Sequence, residues 1–141
     1  MLTQQNFLSA VLSFEGTPYN HMGRRKGIEV DCVGLISCAL EECGADMSYL
    51  PKTYSRRPHR ENVLIKYMQN SHHVYEVTGQ PLEPGDLLTL KIGKLPHHMA
   101  VYLGDGEMIH SYYAQNVVRT SLAAWTLNLD TVWRLYFEGD S

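Results

Sequence analysis

A chain of 141 residues with 44% hydrophobic and 19% charged residues has the composition of one globular domain around a single core. Its net charge of −3 argues against whole-molecule attraction to nucleic acid, and no run approaches the ~20 apolar residues that a membrane helix needs. Residues 1–10 hold no basic residue and no long apolar run, so no secretory signal is expected. The chain reads as made in the cytoplasm, and any action outside then requires delivery by something else.

Residues 3–14 read as a first helix, with Phe7, Leu8, Val11 and Leu12 at helical spacing and Thr3 as N-cap. Gly16-Thr17-Pro18 breaks it, and a polar loop is expected over residues 19–31. The second helix has the clearest pattern. Cys32, Leu35, Ile36, Ala39, Leu40 and Cys43 form one apolar stripe, with Asp31 as N-cap and Gly44 as stop. A loop over residues 45–58 leads to a third helix over residues 60–70.

Strands follow. They are expected over residues 74–78, 87–92 (entered from the Pro84-Gly85-Asp86 turn), 98–103, 107–113, 116–120 and 131–137. Helices first and consecutive strands after give an α+β fold with an antiparallel sheet.

Cys32 opens the second helix, where unpaired N–H groups favour a thiolate, and it lies on the stripe that must face the sheet. Gly104-Asp105-Gly106 joins two strands carrying His98 and His110. A register centred on Asp105 makes these histidines diagonal neighbours on one face, opposite Tyr112 and Ala100 respectively. A register centred on Gly104 opposes them directly. A two-residue loop separates them onto opposite faces unless a bulge intervenes. A thiol at a helix start with two histidines on a facing hairpin is the layout of a nucleophile, its general base (His98) and a group that fixes the base's tautomer (His110). The chain is therefore read as a cysteine hydrolase.

Cys38 and Cys43, spaced 6 and 5 residues along the same helix, read as small buried apolar residues. Seven histidines are present, but there is no HExxH pattern, and His97 and His98 point to opposite faces of a strand; neither a metal site nor a cofactor is expected. Arg24-Arg25-Lys26 and Arg56-Arg57 read as solvated loop residues or as a rim attracting an acidic substrate.

Four segments in order resemble the NlpC family of cell-wall cysteine peptidases: Gly16-Thr17-Pro18-Tyr19, Asp31-Cys32-Val33-Gly34-Leu35, Leu82-Glu83-Pro84-Gly85-Asp86-Leu87-Leu88, and His98-Met99-Ala100-Val101-Tyr102-Leu103-Gly104-Asp105-Gly106 followed by Met108-Ile109-His110. The resemblance implies a papain-like fold, with N-terminal helices packed on a central antiparallel sheet and residues 1–141 forming one peptidase domain. It implies an endopeptidase acting on peptidoglycan stem peptides at the bond from γ-D-glutamate to a diamino acid. Cys32 is then the nucleophile, His98 the base and His110 the third, polar member.

Tyr19 matches the family tyrosine whose hydroxyl helps the Cys32 N–H stabilise the oxyanion; read alone, it equally covers the core. Asp31 is implied to read a substrate amine, and helix capping explains it equally well. Val33 departs from the serine of many relatives, and the loop before Cys32 is slightly long. The bare form and the segment over residues 116–125 resemble the phage branch, which implies tail-tip proteins as partners and a virion tail or the cell wall as location. The competing expectations are a non-catalytic tail-tip adaptor and a thiol amidase or acyltransferase on the same scaffold.

Overall fold

The computed structural model describes residues 1–48, 50, 63–113 and 115–139, without the side chains of residues 63 and 95–97. Thr3 caps the first helix, its hydroxyl accepting from the N–H of Asn6, and α1 runs over Gln4–Leu12. The loop that follows holds a small antiparallel hairpin, β1 (Arg24–Arg25) and β2 (Glu29–Val30), which hydrophobic periodicity does not reveal. The second helix, α2, runs over Cys32–Glu42 from its Asp31 cap, and Gly44 leaves it at φ 90°.

The third helix, α3, is described over Val63–Asn70. Residues 60–62 of its expected span lie outside the described residues, as do residue 49, Arg56, Arg57, His59 and the side chain of His97. The expected loop over residues 45–58 is therefore described only at its start.

Six strands make the central sheet: β3 (Val74–Glu76), β4 (Leu87–Ile92), β5 (Leu95–Gly104), β6 (Glu107–His110), β7 (Val118–Ser121) and β8 (Leu129–Leu135). Their order is β3-β8-β4-β5-β6-β7, and every pairing is antiparallel. A 3-10 helix, Leu122–Asn128, lies between β7 and β8. It was not expected, since seven residues without a 3.6-residue stripe give no helical signal.

Because side chains alternate along a strand, each strand serves both faces. Leu87, Met99, Val101, Ile109, Trp133 and Leu135 pack with Phe7, Val11, Leu35, Leu40, Leu64 and Met68 of the three helices. Leu88, Leu90, Ala100, Met108 and Val132 form a second cluster with Val77, against which Leu122 and Trp125 of the 3-10 helix lie. The expected α+β, papain-like arrangement is the one observed, with the sheet covered on both faces.

Two turns set the register. Asp105 and Gly106, at φ 53° and 77°, form the two-residue hairpin turn between β5 and β6. The pairing shifts between Tyr102 and Gly104, and this bulge restores the register centred on Asp105, with Val101 opposite Ile109.

At the entry to β4, Gly85 at φ 97° turns the chain so that Asp86, 1% exposed, meets Arg134 of β8. Arg134 donates from Nε to Oδ1 at 2.8 Å and from Nη2 to Oδ2 at 2.9 Å, and the Glu83 N–H donates at 2.9 Å. Removing one partner of a buried ion pair strands the other. Asp86→Ala is expected to cost about 3 kcal/mol or more, read as a lower urea midpoint with an unchanged slope.

Candidate active site

The β5–β6 ladder does not run to the end of β6. Its last pair is Val101 with Ile109, so the two strands part before His98 and His110. The gap is closed by the segment preceding α2. The Gly16 N–H donates to the Val117 carbonyl, the Val117 N–H to the Thr17 carbonyl, and the buried Ser111 hydroxyl to the Val30 carbonyl at 2.7 Å. These bonds deliver the start of α2 into the seam.

Asp31 fixes the final approach. Its carboxylate is 4% exposed; Oδ1 accepts from the Gly34 N–H at 2.7 Å and from Arg24 Nη1 at 3.1 Å, and Oδ2 accepts from the Met22 N–H at 2.7 Å. The β1–β2 hairpin lies hard against the first turn of α2: a Cβ on Gly34 would overlap the Gly23 carbonyl oxygen. The basic run, read as solvated loop residues or as a rim, is ion-paired, Arg24 with Asp31, Arg25 with Glu29 and Lys26 with Glu42, and Arg25 and Lys26 remain exposed.

Cys32 is half-buried, and the backbone N–H groups of Val33 and Met99 face its sulfur. Met99 follows His98 directly, so the thiol meets β5 beside the histidine. Burial pushes the Cys32 thiol up to about 12, and Asp31 adds to the rise; the two N–H groups and Arg24 pull the other way. The lowering expected from the helix start is thus outweighed by desolvation. All three cysteines are free thiols; Cys43 is buried, and half-buried Cys38 donates to the Arg24 carbonyl at 3.3 Å.

His98 and His110 are brought together. His98 Nε2 lies 2.8 Å from His110 Nδ1, with both rings buried. Burial holds His110 down to about 4, so it is neutral at neutral pH. They occupy the sheet face opposite the one α2 covers, among Tyr112 and Trp125. Cys32 packs on the helix-covered cluster, as its place on the apolar stripe predicts, and its sulfur meets the Met99 N–H beside the point where the β5–β6 pairing ends.

Tyr19 is half-buried, bridged to Val30 and edge-on to Tyr113 at 5.9 Å. Trp125 and the Met99 N–H were not anticipated, since neither a 3-10 helix nor a ladder break has a sequence period. Tyr112 was reachable, being opposite His98 in the register. Among the described residues no group of three or more His, Cys, Asp or Glu is placed to hold a metal ion, and no helix is long and apolar enough to cross a membrane.

Residues 16–134 match the model of the NlpC/P60 family. The chain belongs to this family. Probable endopeptidase YafL of Escherichia coli is 30% identical over 126 residues, which cover 88% of this chain and 43% of that protein. Tail tip assembly protein K of Escherichia phage lambda is 26% identical over 106 residues, covering 74% and 53%. The chain spans about half or less of the curated relatives it matches. The crystal structure of the NlpC/p60 domain of peptidoglycan hydrolase SagA superposes with a TM-score of 0.66 at 20% identity, covering 93% of this chain and 97% of that one, and so shares the fold.

Gly34→Ala in this NlpC/P60 domain is expected to lose about 2 kcal/mol or more in urea unfolding, because the overlap is with backbone and no side chain can swing away. His110 gives a pH signature. The folded state disfavours its proton while the unfolded chain binds it, so stability is full above about 6.5 and falls as pH drops toward about 4. The loss amounts to about 3 kcal/mol. His110→Gln is expected to remove that part of the slope when urea midpoints are compared across this range.

Proposed function

We propose that this chain is a cysteine endopeptidase that hydrolyses peptidoglycan stem peptides at the bond from γ-D-glutamate to a diamino acid. The observation that carries the reading is the 2.8 Å contact between His98 Nε2 and His110 Nδ1, beside a thiol held at the Met99 N–H. Neutral His110 offers a lone pair on Nδ1, so His98 keeps its proton on Nε2 and uses Nδ1 to take the thiol proton.

The thiolate of Cys32 attacks the carbonyl. Its charge passes to an oxyanion for which the Cys32 N–H and the Tyr19 hydroxyl are the proposed donors. His98 returns the proton to the leaving amine, and water, deprotonated by His98, then hydrolyses the thioester. Because burial raises the isolated thiol so far, thiolate forms only as His98 becomes charged. Asp31, which accepts from the Met22 and Gly34 N–H groups and from Arg24, sets the helix start in this scheme and leaves a substrate amine to other groups.

The name of the endopeptidase relative supports peptide-bond cleavage, and the name of the hydrolase sharing the fold supports peptidoglycan as substrate. Likeness to the phage tail protein supports action at a tail tip during wall penetration, with tail-tip proteins as neighbours. No nucleic-acid partner and no membrane insertion form part of the proposal. The raised thiol favours one second reading, a non-catalytic wall-binding or tail-tip adaptor domain.

Mass spectrometry of muropeptides incubated with the protein decides between these. Fragments split after γ-D-glutamate are expected with the native chain and absent with Cys32→Ala, while His98→Ala lowers turnover by about 100-fold or more. Intact muropeptides with a readily alkylated Cys32 would redirect the proposal to another acyl substrate, an amidase or acyltransferase reaction. Intact muropeptides with an inert Cys32 would establish the adaptor reading.

A further inference from the structure

The 3-10 helix buries none of its residues fully, yet it is pinned at both ends. The Leu122 N–H donates to the Gly106 carbonyl at 2.8 Å, and Asn128 Nδ2 donates to the Lys91 carbonyl at 2.8 Å. Those anchors are the β5–β6 turn and strand β4, the strand paired with β5 at His98. What the helix delivers is Trp125. Its ring centroid lies 5.6 Å from that of His98, tilted by 38°, and 5.2 Å from that of His110, edge-on at 82°. Tyr112 completes the enclosure, 5.0 Å from His98 and 5.4 Å from Trp125.

This matters because a charge must appear on His98. When Cys32 gives up its proton, the imidazolium forms on a ring only 4% exposed, where water solvates it poorly. Among the described residues, the following groups face it. Strand β6 supplies neutral His110, and the residue after next supplies Tyr112. The start of α2 supplies Cys32 with Asp31, which Arg24 of β1 counterbalances. Strand β4 places Leu90 opposite. The 3-10 helix, Leu-Ala-Ala-Trp-Thr-Leu-Asn, brings no charge but an indole within the ~6 Å range of cation–π attraction.

We propose that Trp125 is a positioning residue of this site: its indole fixes the His98 and His110 rings in their hydrogen-bonded geometry and stabilises the protonated imidazole of His98. The role rests on the thiol-peptidase reading above, but the measurement that decides it does not.

The experiment is an NMR titration of the imidazole signals in Cys32→Ala protein, which removes the competing thiol. Trp125→Leu is expected to lower the His98 midpoint by about half a unit to one unit. Trp125→Phe, which keeps an aromatic face, is expected to lower it by less. Leu127→Ala, a fully exposed change on the same helix, is expected to leave it in place. Should Trp125→Leu fail to fold, 5-fluorotryptophan keeps the shape and weakens the π face, and a smaller drop of the same sign is expected; the second indole, Trp133, lies on the helix-covered face.

With Cys32 intact, Trp125→Leu is expected to slow iodoacetamide alkylation at neutral pH by up to about 10-fold, in proportion to the lost imidazolium. An unmoved His98 midpoint in folded Trp125→Leu overturns the proposal, as does an equal shift from Leu127→Ala. Failure of the native protein to cut muropeptides counts against the peptidase reading alone, since the titration is made without Cys32.

Discussion

One buried carboxylate, Asp31, holds together the parts on which the site depends. With its two oxygens it caps α2 at Gly34, receives the Met22 N–H and pairs with Arg24. Helix start, preceding loop and β1–β2 hairpin are thereby fixed relative to one another, and Cys32 is the next residue along. Such a carboxylate is tolerable in the interior because each oxygen has donors; the guanidinium balances its charge. Its nearness to the sulfur raises the thiol, so the group that places the nucleophile also restrains its ionisation.

The seam between β5 and β6 turns that restraint into a defined geometry. A continuous ladder would satisfy the Met99 N–H with a carbonyl of the neighbouring strand. With the strands parted, that N–H faces the Cys32 sulfur instead. The site therefore lies where two cores meet. The helix-covered cluster supports the thiol, and the cluster under the 3-10 helix supports the histidines. Each half is rigid for its own packing reasons, and the chemistry falls at their boundary.

Much of this was legible in the sequence, element by element. The stripe from Cys32 to Cys43 is an amphipathic helix because its apolar side must be buried, and Asp31 and Gly44 mark ends that follow from backbone hydrogen bonding and φ. The shared face of His98 and His110 followed from the period of a strand, once a bulge set the register on Asp105. The β1–β2 hairpin was not legible, since strands of two residues have no period. The 3-10 helix was not legible for the same reason, and with it Trp125 was missed. The thiol's rise was hidden because a helix start favours a thiolate locally, whereas desolvation is set by parts of the chain distant in sequence.

The margins of the sheet carry a different consequence. Strands β3 and β7, at its two edges, are three and four residues long, and Glu76 and Arg119 place charges on them. An edge so short offers few unpaired backbone groups to another molecule, and a charged side chain there opposes the approach of a second sheet. Crowded copies of this domain are therefore protected from joining edge to edge into fibres, although the six-stranded sheet is stacked between two apolar layers.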